Sequence, residues 1–118
     1  MESNIAPVMV EISRYVSPDK QRIVVKVHNE LDLKLSYKLQ SYLMEQLNSL
    51  SAGGELYIDL RDVEYIASSG VGAMSNTLIQ AKKFQINLYV STLKPKVRAV
   101  FDLLGLTSYF TEKNPDVS

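Results

Sequence analysis

Four separate stretches of the chain have the sequence character of β-strands, and in three of them apolar and polar residues alternate, which is the period of a strand. The stretches cover residues 8–14, 22–28, 56–60 and 86–90. The second stretch is rich in β-branched residues, which favour strands. Pro18 and Asp19 supply the chemistry of a turn between the first two stretches, so we predict that those two strands pair antiparallel.

Three other stretches carry apolar residues every three or four positions, which is the period of a helix. The first predicted helix covers residues 34–50 and is followed by glycines at 53 and 54, one of which can take the left-handed conformation. The second runs from residue 68 to about residue 83, and the third starts at Lys94 and Pro95, because proline suits the first helical position. Their predicted buried faces are Val71, Met74, Leu78 and Ala81 in the second helix, and Val97, Val100, Phe101 and Leu104 in the third.

The order of these elements is strand, strand, helix, strand, helix, strand, helix. It predicts an α/β fold, in which a mixed β-sheet of about four to five strands is covered by amphipathic helices. The length suits a single domain over residues 1–118. We expect flexible termini at residues 1–7 and 111–118.

Composition narrows the classes of function. The chain has 13 basic and 13 acidic residues and no cysteine. The balanced charge does not favour direct binding of nucleic acid, and the lack of cysteine excludes disulfides and thiolate chemistry. The N-terminus has neither a basic region nor a long apolar run, so we expect a cytoplasmic protein without membrane insertion.

The candidate chemistry lies at residues 68–72, with the sequence Ser-Ser-Gly-Val-Gly. These residues open a helix shortly after a strand, and the free N–H groups and positive dipole end of a helix favour a negative group. A serine at this place can cap the helix, hold an anion or receive a phosphate. Gly70 and Gly72 are expected where the helix start crowds the sheet or a partner.

Enzymatic interpretations are weak. His28 is the only histidine, and Ser68 lacks the glycine two residues earlier that a nucleophile elbow uses. The phosphate-binding loop of nucleotide hydrolases is absent. The acidic group Asp59, Asp62 and Glu64 is interpreted as a solvated edge, and the basic group Lys94, Lys96 and Arg98 as a solvated helix face.

Three segments of the chain form a recognisable combination: residues 27–32, residues 59–72, which end in Ser-Ser-Gly-Val-Gly, and residues 95–106, which begin with proline. Together they resemble the STAS domain of bacterial anti-sigma factor antagonists over nearly the whole chain. Residues 27–32, Val-His-Asn-Glu-Leu-Asp, look like the family's strand end Gly-Glu-Leu-Asp. Residues 59–72 are similar to its signature Asp-Leu…Asp-Ser-Ser-Gly-Leu-Gly. Residues 95–106 resemble its C-terminal helix and exit.

The resemblance implies a binding domain that is not an enzyme and needs no cofactor or metal. Ser68 aligns with the serine that is phosphorylated in such antagonists. The implied partners are an anti-sigma factor that is also a serine kinase, which the unmodified domain binds, and a serine phosphatase, which reverses the modification. The implied partner surface consists of Asn29, Glu30, Asp32, Ala67, Ser68, Ser69, Gly70, Val71, Gly72 and Met74.

Two positions depart from the family pattern. Ala67 replaces the aspartate before the serine, and Asn29 replaces the first glycine, a milder change because asparagine tolerates the left-handed conformation. Asp32 is retained and is expected near Ser68. Ala67 favours an alternative function, in which the domain is a phosphorylation-independent scaffold subunit of a lipid-transport or sensory assembly.

Overall fold

The computed structural model describes residues 6–9 and 11–115. Within them, six strands and three helices follow each other along the chain. The strands are β1 (Ala6–Met9), β2 (Ile12–Val16), β3 (Arg22–Val27), β4 (Glu55–Asp59), β5 (Asn87–Val90) and β6 (Thr111–Glu112). The helices are α1 (Leu33–Asn48), α2 (Ser68–Lys83) and α3 (Pro95–Leu103), and a 3-10 turn follows at Thr107–Tyr109.

The six strands form one sheet in the order of the chain, β1 to β6. β1, β2 and β3 pair antiparallel, whereas β3, β4, β5 and β6 pair parallel. Each parallel step is made by one helix, as parallel neighbours require a crossover. The predicted α/β fold with a mixed sheet is confirmed, and the short strands β1 and β6 extend it to six strands.

The prediction of one strand over residues 8–14 is wrong. The chain turns inside that stretch, so that Met9 pairs with Ile12 and β1 and β2 form a hairpin. Alternation alone does not reveal a tight turn, because side chains alternate along both arms of a hairpin. Val10 lies outside the described residues.

All three helices pack on one face of the sheet. The main core joins this face to the inner sides of the helices, including Leu39 of α1, Met74 of α2 and Phe101 of α3. In α3, Val97 is also buried as predicted, but Leu104 lies past the helix end and is 42% exposed. Gly105 follows with a φ of +71°, as expected for a glycine after a helix.

The central strand β4 is buried on both faces. Leu56 and Ile58 face the helices, and Tyr57 belongs to a second apolar cluster on the helix-free face. The Tyr57 ring lies 5.0 Å from the Tyr89 ring between centroids, and the Arg22 guanidinium lies 5.3 Å from the Tyr57 centroid. The polar positions of this strand are therefore not exposed, because tyrosines and long basic side chains cover each other there.

The C-terminal segment differs from the predicted flexible tail as far as residue 115. β6 pairs with β5, and the Lys113 N–H donates to the Val90 carbonyl oxygen at 2.9 Å. The Thr92 N–H donates to Asn114 Oδ1 at 2.8 Å. The polar composition predicted a flexible tail, but the backbone of β6 and the side chain of Asn114 hold this segment to the sheet. At the other end, residues 6 and 7 belong to β1, and residues 1–5 and 116–118 lie outside the described part of the chain.

No helix in the described residues combines the length and apolar character needed to cross a membrane.

Candidate functional site

The loop before α2 is fixed to the end of β3 by backbone hydrogen bonds. Leu31 forms an isolated parallel bridge with Ile66. The Leu31 N–H donates to the Tyr65 carbonyl oxygen at 2.9 Å, and the Ala67 N–H donates to the Leu31 carbonyl oxygen at 2.8 Å. Leu31 and Ile66 are both buried. This bridge brings the starts of α1 and α2 side by side. It places Ser68 at the edge of the sheet where β3 and β4 end.

Ser68 is the first residue of α2, and its side chain is exposed. Its hydroxyl has no hydrogen-bond partner among residues 6–9 and 11–115. The N-cap residue Ala67 makes no side-chain hydrogen bond, so no carboxylate or hydroxyl offsets the positive end of the helix dipole. The Ser68 hydroxyl is therefore open to solvent in a place where negative charge is stabilised.

Ser69 has a different environment from Ser68. Its Oγ donates to Ser36 Oγ of α1 at 3.3 Å, and Ser36 Oγ in turn donates to the Asp32 carbonyl oxygen at 2.5 Å. Ser69 thus joins the two helix starts, and within the described part of the chain Ser68 is the serine of the pair whose hydroxyl has no partner.

The two glycines of α2 have different surroundings. A Cβ at Gly70 would lie 2.8 Å from Ile66 Cγ1 and 3.0 Å from Leu31 Cγ, so Gly70 is required where α2 crosses the Leu31–Ile66 bridge. A Cβ at Gly72 would meet nothing within 4 Å. Crowding against the fold is therefore confirmed for Gly70, whereas Gly72 has no such crowding, and the expected closeness of a partner at Gly72 stays a prediction.

The acidic group near this edge is paired with cations. Asp59 is only 2% exposed, and both of its carboxylate oxygens accept bonds from the Arg61 guanidinium, at 3.0 and 2.9 Å. Burial acts to raise the pKa of Asp59, but the hydrogen bonds and charge of Arg61 outweigh it and hold the pKa below its usual value. The interpretation of a solvated edge is therefore wrong for Asp59, because β4 is buried on both faces.

The other two acids of the group are exposed and bind lysines from other elements. Asp62 lies 3.2 Å from the Lys26 ammonium, and Glu64 lies 3.4 Å from the Lys94 ammonium. Both acids line a polar cleft of about 730 Å³ between the end of β3 and the start of α1. No cluster of carboxylates or histidine that suits a metal occurs in the described residues.

Comparison with known proteins decides the family. The STAS domain family matches residues 11–117. The chain belongs to the STAS family.

Individual STAS proteins are similar over most of the chain. The anti-sigma-B factor antagonist of Staphylococcus epidermidis is 28% identical over 82 residues, which cover 70% of this chain and 74% of that protein. An anti-sigma factor antagonist from Mycobacterium paratuberculosis has a similar fold, with a TM-score of 0.71, 24% identity, and coverage of 88% of this chain and 86% of that one.

The Bacillus cell fate determinant SpoIIAA has also been solved, in both an unphosphorylated and a phosphorylated form. The unphosphorylated form has a TM-score of 0.68 and 16% identity, and covers 96% of this chain and 89% of its own. The phosphorylated form has a TM-score of 0.62 and 15% identity, and covers 96% of this chain and 92% of its own. At these identities the similarity of solved structures shows a shared fold.

Most of the residues expected at the partner surface of the STAS domain are accessible. Asn29, Glu30, Asp32 and Ser68 are exposed, and Ala67, Ser69 and Gly72 are partly exposed. The remaining three, Gly70, Val71 and Met74, are buried. They lie on the inner side of α2, because the helical period turns these positions toward the sheet, and no partner can reach them in this conformation.

Asp32 has a structural role in the STAS domain. It is the N-cap of α1, where its Oδ1 accepts the Leu35 N–H at 2.8 Å. Asp32 follows Leu31 and Ala67 follows Ile66, the two residues of the parallel bridge. Asp32 and Ala67 are therefore neighbours on the two adjacent chain segments. Asn29 has no positive φ, since Lys20 and Gln85 are the non-glycine residues with positive φ in the described chain. The tolerance of asparagine for the left-handed conformation is therefore not used at this position.

Sequence reasoning missed three exposed apolar residues in the first turns of α1 and in the loop before α2. Tyr37 is 67% exposed, Leu33 is 55% exposed and Tyr65 is 51% exposed. Leu33 and Tyr37 are one turn apart on α1, outside the stripe of buried leucines that faces the core, which includes Leu39. Tyr65 belongs to the backbone bridge next to Leu31. An apolar residue off the core stripe of an amphipathic helix was the signal that could have identified the first two.

The other residues considered as candidate chemistry are the histidine and the basic group of α3. His28 follows β3, and its Nε2 lies 2.6 Å from Ser13 Oγ of the neighbouring strand. In the basic group, Lys94 pairs with Glu64, and Arg98 pairs with Glu112 at 2.7 Å. Lys96 is exposed.

Proposed function

We propose that this STAS domain is an anti-sigma factor antagonist that binds an anti-sigma factor with serine kinase activity, and that phosphorylation of Ser68 ends the binding. A serine phosphatase restores the binding form, and the domain itself catalyses nothing. We also propose that the domain is cytoplasmic, as the sequence predicts. The observation that carries it is the exposed Ser68 hydroxyl, without a partner in the described chain, at the start of α2.

Electrostatics explain how one serine can switch binding without disturbing the fold. A phosphoryl group adds about −1.5 to −2 charges at neutral pH. At the first residue of a helix this charge is favourable in the free domain. In a complex, a close partner surface would have to remove water from the same charge, which is unfavourable unless the partner supplies a cation.

Exposed apolar residues on α1 and in the loop before α2 support a protein partner. Tyr37, Leu33 and Tyr65 are large and exposed, and tyrosine is enriched among residues that dominate binding energy in interfaces. Relatives named as anti-sigma factor antagonists support the identity of that partner. The existence of a phosphorylated SpoIIAA supports modification in a protein of this fold.

The test compares Ser68→Ala with Ser68→Asp. The kinase is isolated by affinity capture from the source cells, identified, purified, and titrated with each variant by calorimetry. We expect Ser68→Ala to bind like the wild type and Ser68→Asp to bind at least about tenfold more weakly, a difference of 1.4 kcal/mol. Both variants should keep the wild-type thermal midpoint within a few degrees. Because one carboxylate is a poor substitute for phosphate, enzymatically phosphorylated protein is measured as well. Equal affinity of phosphorylated and unmodified protein would contradict the switch.

A second candidate function is favoured by Ala67. Without the family's aspartate, no carboxylate precedes the serine to orient its hydroxyl or to take part in a kinase–Mg²⁺ arrangement. The domain would then be a scaffold subunit of a lipid-transport or sensory assembly, and Ser68 would never be modified.

Phosphate transfer from radiolabelled ATP separates the two functions. The switch predicts uptake by the wild type, undiminished or faster uptake by Ala67→Asp, slower uptake by Asp32→Ala and none by Ser68→Ala. A wild type that binds a partner through this surface but accepts no phosphate from any kinase encoded nearby supports the scaffold instead.

A further inference from the structure

We infer that Ser36 of α1 is a positioning residue that makes phosphoryl transfer at the start of α2 specific for Ser68. It does so by holding the hydroxyl of Ser69, the other serine of the pair, against α1. The inference rests on the proposed function and adds to it the residue that decides which of two adjacent serines is modified. Ser36 lies outside the three segments that resemble the STAS family.

The position of the two serines in α2 does not by itself explain a choice between them. Ser68 and Ser69 are the first two residues of the helix, so the positive end of the helix dipole favours a phosphoryl group on either one. Ser68 is exposed and Ser69 is partly exposed, so solvent reaches both. Within this chain, the difference between them lies in the contacts of their hydroxyls.

The direction of the hydrogen bonds at Ser69 follows from the acceptor at the end of the series. Ser36 Oγ lies 2.5 Å from the Asp32 carbonyl oxygen, which can only accept, so the Ser36 proton is committed to that bond. Ser36 Oγ can therefore only accept from Ser69 Oγ, which lies 3.3 Å away. Because Ser36 is 1% exposed, water has little access to this acceptor. The Ser69 proton is thereby directed toward α1.

Phosphoryl transfer needs a hydroxyl that can turn toward the nucleotide and lose its proton. A bond forms between the serine Oγ and the γ-phosphorus of ATP, the bond from that phosphorus to the bridging oxygen breaks, ADP leaves, and a base of the kinase takes the hydroxyl proton. The Ser69 proton points instead at a hydroxyl that has already committed its own proton and is no base. The Ser68 hydroxyl has no partner in the described chain and can turn freely.

Ser36 can be replaced without leaving a buried polar group unpaired. In Ser36→Ala the Asp32 carbonyl oxygen still accepts the N–H of residue 36, at 2.9 Å. The Ser69 hydroxyl is partly exposed and can bond to water, and alanine is favourable within a helix. We therefore expect Ser36→Ala to keep the wild-type thermal midpoint within a few degrees. Ser36→Cys is a second variant, which keeps the side-chain volume but offers sulfur, a weak acceptor.

The test maps by mass spectrometry where the purified anti-sigma factor kinase places phosphate from ATP. In the wild type we expect phosphate on Ser68, with Ser69 at or below the limit of detection. In Ser36→Ala and in Ser36→Cys the ratio of phosphate on Ser69 to phosphate on Ser68 should rise at least about threefold above that limit, as expected for the loss of one neutral hydrogen bond. Ser68→Ala should take up no phosphate, whereas Ser68→Ala combined with Ser36→Ala should take it up at Ser69.

Ser75→Ala is the matched control. Ser75 Oγ donates to the Val71 carbonyl oxygen at 3.0 Å, which is the same bond to the fourth residue before it that Ser36 makes within α1. The change removes this kind of bond from α2 without removing the acceptor of the Ser69 hydroxyl. Ser75→Ala should therefore give the wild-type distribution of phosphate.

The outcomes separate this inference from the proposed function. If the wild type is phosphorylated on Ser68 and both Ser36 variants carry phosphate on Ser68 alone, Ser36 does not decide the site, although the proposed function stands. Phosphate on Ser69 in Ser75→Ala as abundant as in Ser36→Ala also overturns the assignment, because a general loosening of the helices would then be the cause. If the wild type takes up no phosphate, the proposed function and the inference fail together.

Discussion

Ala67 and Ser68 show how one side chain can decide the charge at a helix start. Aspartate at the N-cap is a common way to satisfy the free N–H groups of the first turn. In this chain the N-cap is alanine, and Gly70 N–H finds the Ala67 carbonyl oxygen at 2.8 Å instead. The first turn of α2 is therefore short of negative charge, and a phosphoryl group on Ser68 would supply it.

Restoring the carboxylate at position 67 should stabilise the domain. We expect Ala67→Asp to raise the free energy of unfolding by about 0.5–1 kcal/mol, toward the lower part of the usual N-cap range. The gain is limited because Asp32 lies next to Ala67 across the Leu31–Ile66 bridge, and the two carboxylates repel each other. Urea denaturation of the two proteins measures the change.

The Asp32→Asn background provides the control for that repulsion. There the same Ala67→Asp change should give a larger gain than in the wild-type background. A loss of stability in both backgrounds would show that the start of α2 does not need a cap.

Gly70 is the most constrained residue of the signature. A side chain at this position would strike Ile66 and Leu31, which are both buried. We expect Gly70→Val to lower the free energy of unfolding by about 1–3 kcal/mol, the usual range for overpacking. Gly72→Val is the control, since the same side chain meets open space there. A Gly70→Val denaturation midpoint equal to that of this control would mean that the bridge can move aside.

At the scale of elements, β4 and β5 are joined where they end by a buried hydroxyl. The Leu60 N–H donates to Ser91 Oγ at 2.7 Å, and Ser91 is fully buried. Ser91→Ala leaves this N–H without an acceptor, so we expect a loss of about 1–3 kcal/mol in the free energy of unfolding. Amide hydrogen exchange at Leu60 should become faster.

Thr92→Ala is the matched control for Ser91→Ala. Thr92 is exposed, and its backbone N–H, not its side chain, makes the bond to Asn114. It should therefore change neither the stability nor the exchange of Leu60 by a measurable amount. If Ser91→Ala behaves the same way, water has replaced the lost hydroxyl.

The elements differ in how much the sequence revealed about them. Periodicity identified α1, α2 and α3 and the strands β3, β4 and β5, because each has a buried face with a regular spacing. It did not reveal the turn between Met9 and Ile12, because alternation continues through a hairpin. It also missed β6, because a strand of exposed polar residues that joins the sheet through its backbone has no apolar pattern.

The candidate site, like the fold, could be predicted from the sequence only in part. Ser68 was found because it belongs to a motif, and the position of the motif in the sequence was enough to place it at a helix start. The burial of Val71 and Met74 follows from the helical period, but the opposite environments of Gly70 and Gly72 do not. They depend on the Leu31–Ile66 bridge, which joins residues 35 positions apart and cannot be read from local patterns.

For the whole molecule, the free energy of unfolding should depend on pH through the ionisation of Asp59. Its pKa is lowered in the folded state by Arg61, against the effect of burial. A lowered pKa gives stability that is present above the pKa of the unfolded chain, about 3.9, and is lost as the pH falls through the folded value. We expect Asp59→Asn to be less stable than the wild type near neutral pH.

This difference between Asp59→Asn and the wild type should shrink as the pH falls below about 4. Thermal unfolding of both proteins from pH 7 to pH 3 measures it. A difference that stays constant over this range would show that the Asp59–Arg61 pair does not contribute through its charge.

The order of the strands has a consequence for how the chain can be assembled during synthesis. Each strand from β2 to β6 lies beside the strand made just before it, so no strand is inserted between two earlier ones. A growing polypeptide can add each new strand to an edge that already exists, without opening any pairing made before. Such stepwise growth keeps contacts near in sequence, which favours rapid folding. The unpaired edge then moves along with the growing chain from β2 to β6, and it is the part of the nascent protein most exposed to wrong pairing with another molecule.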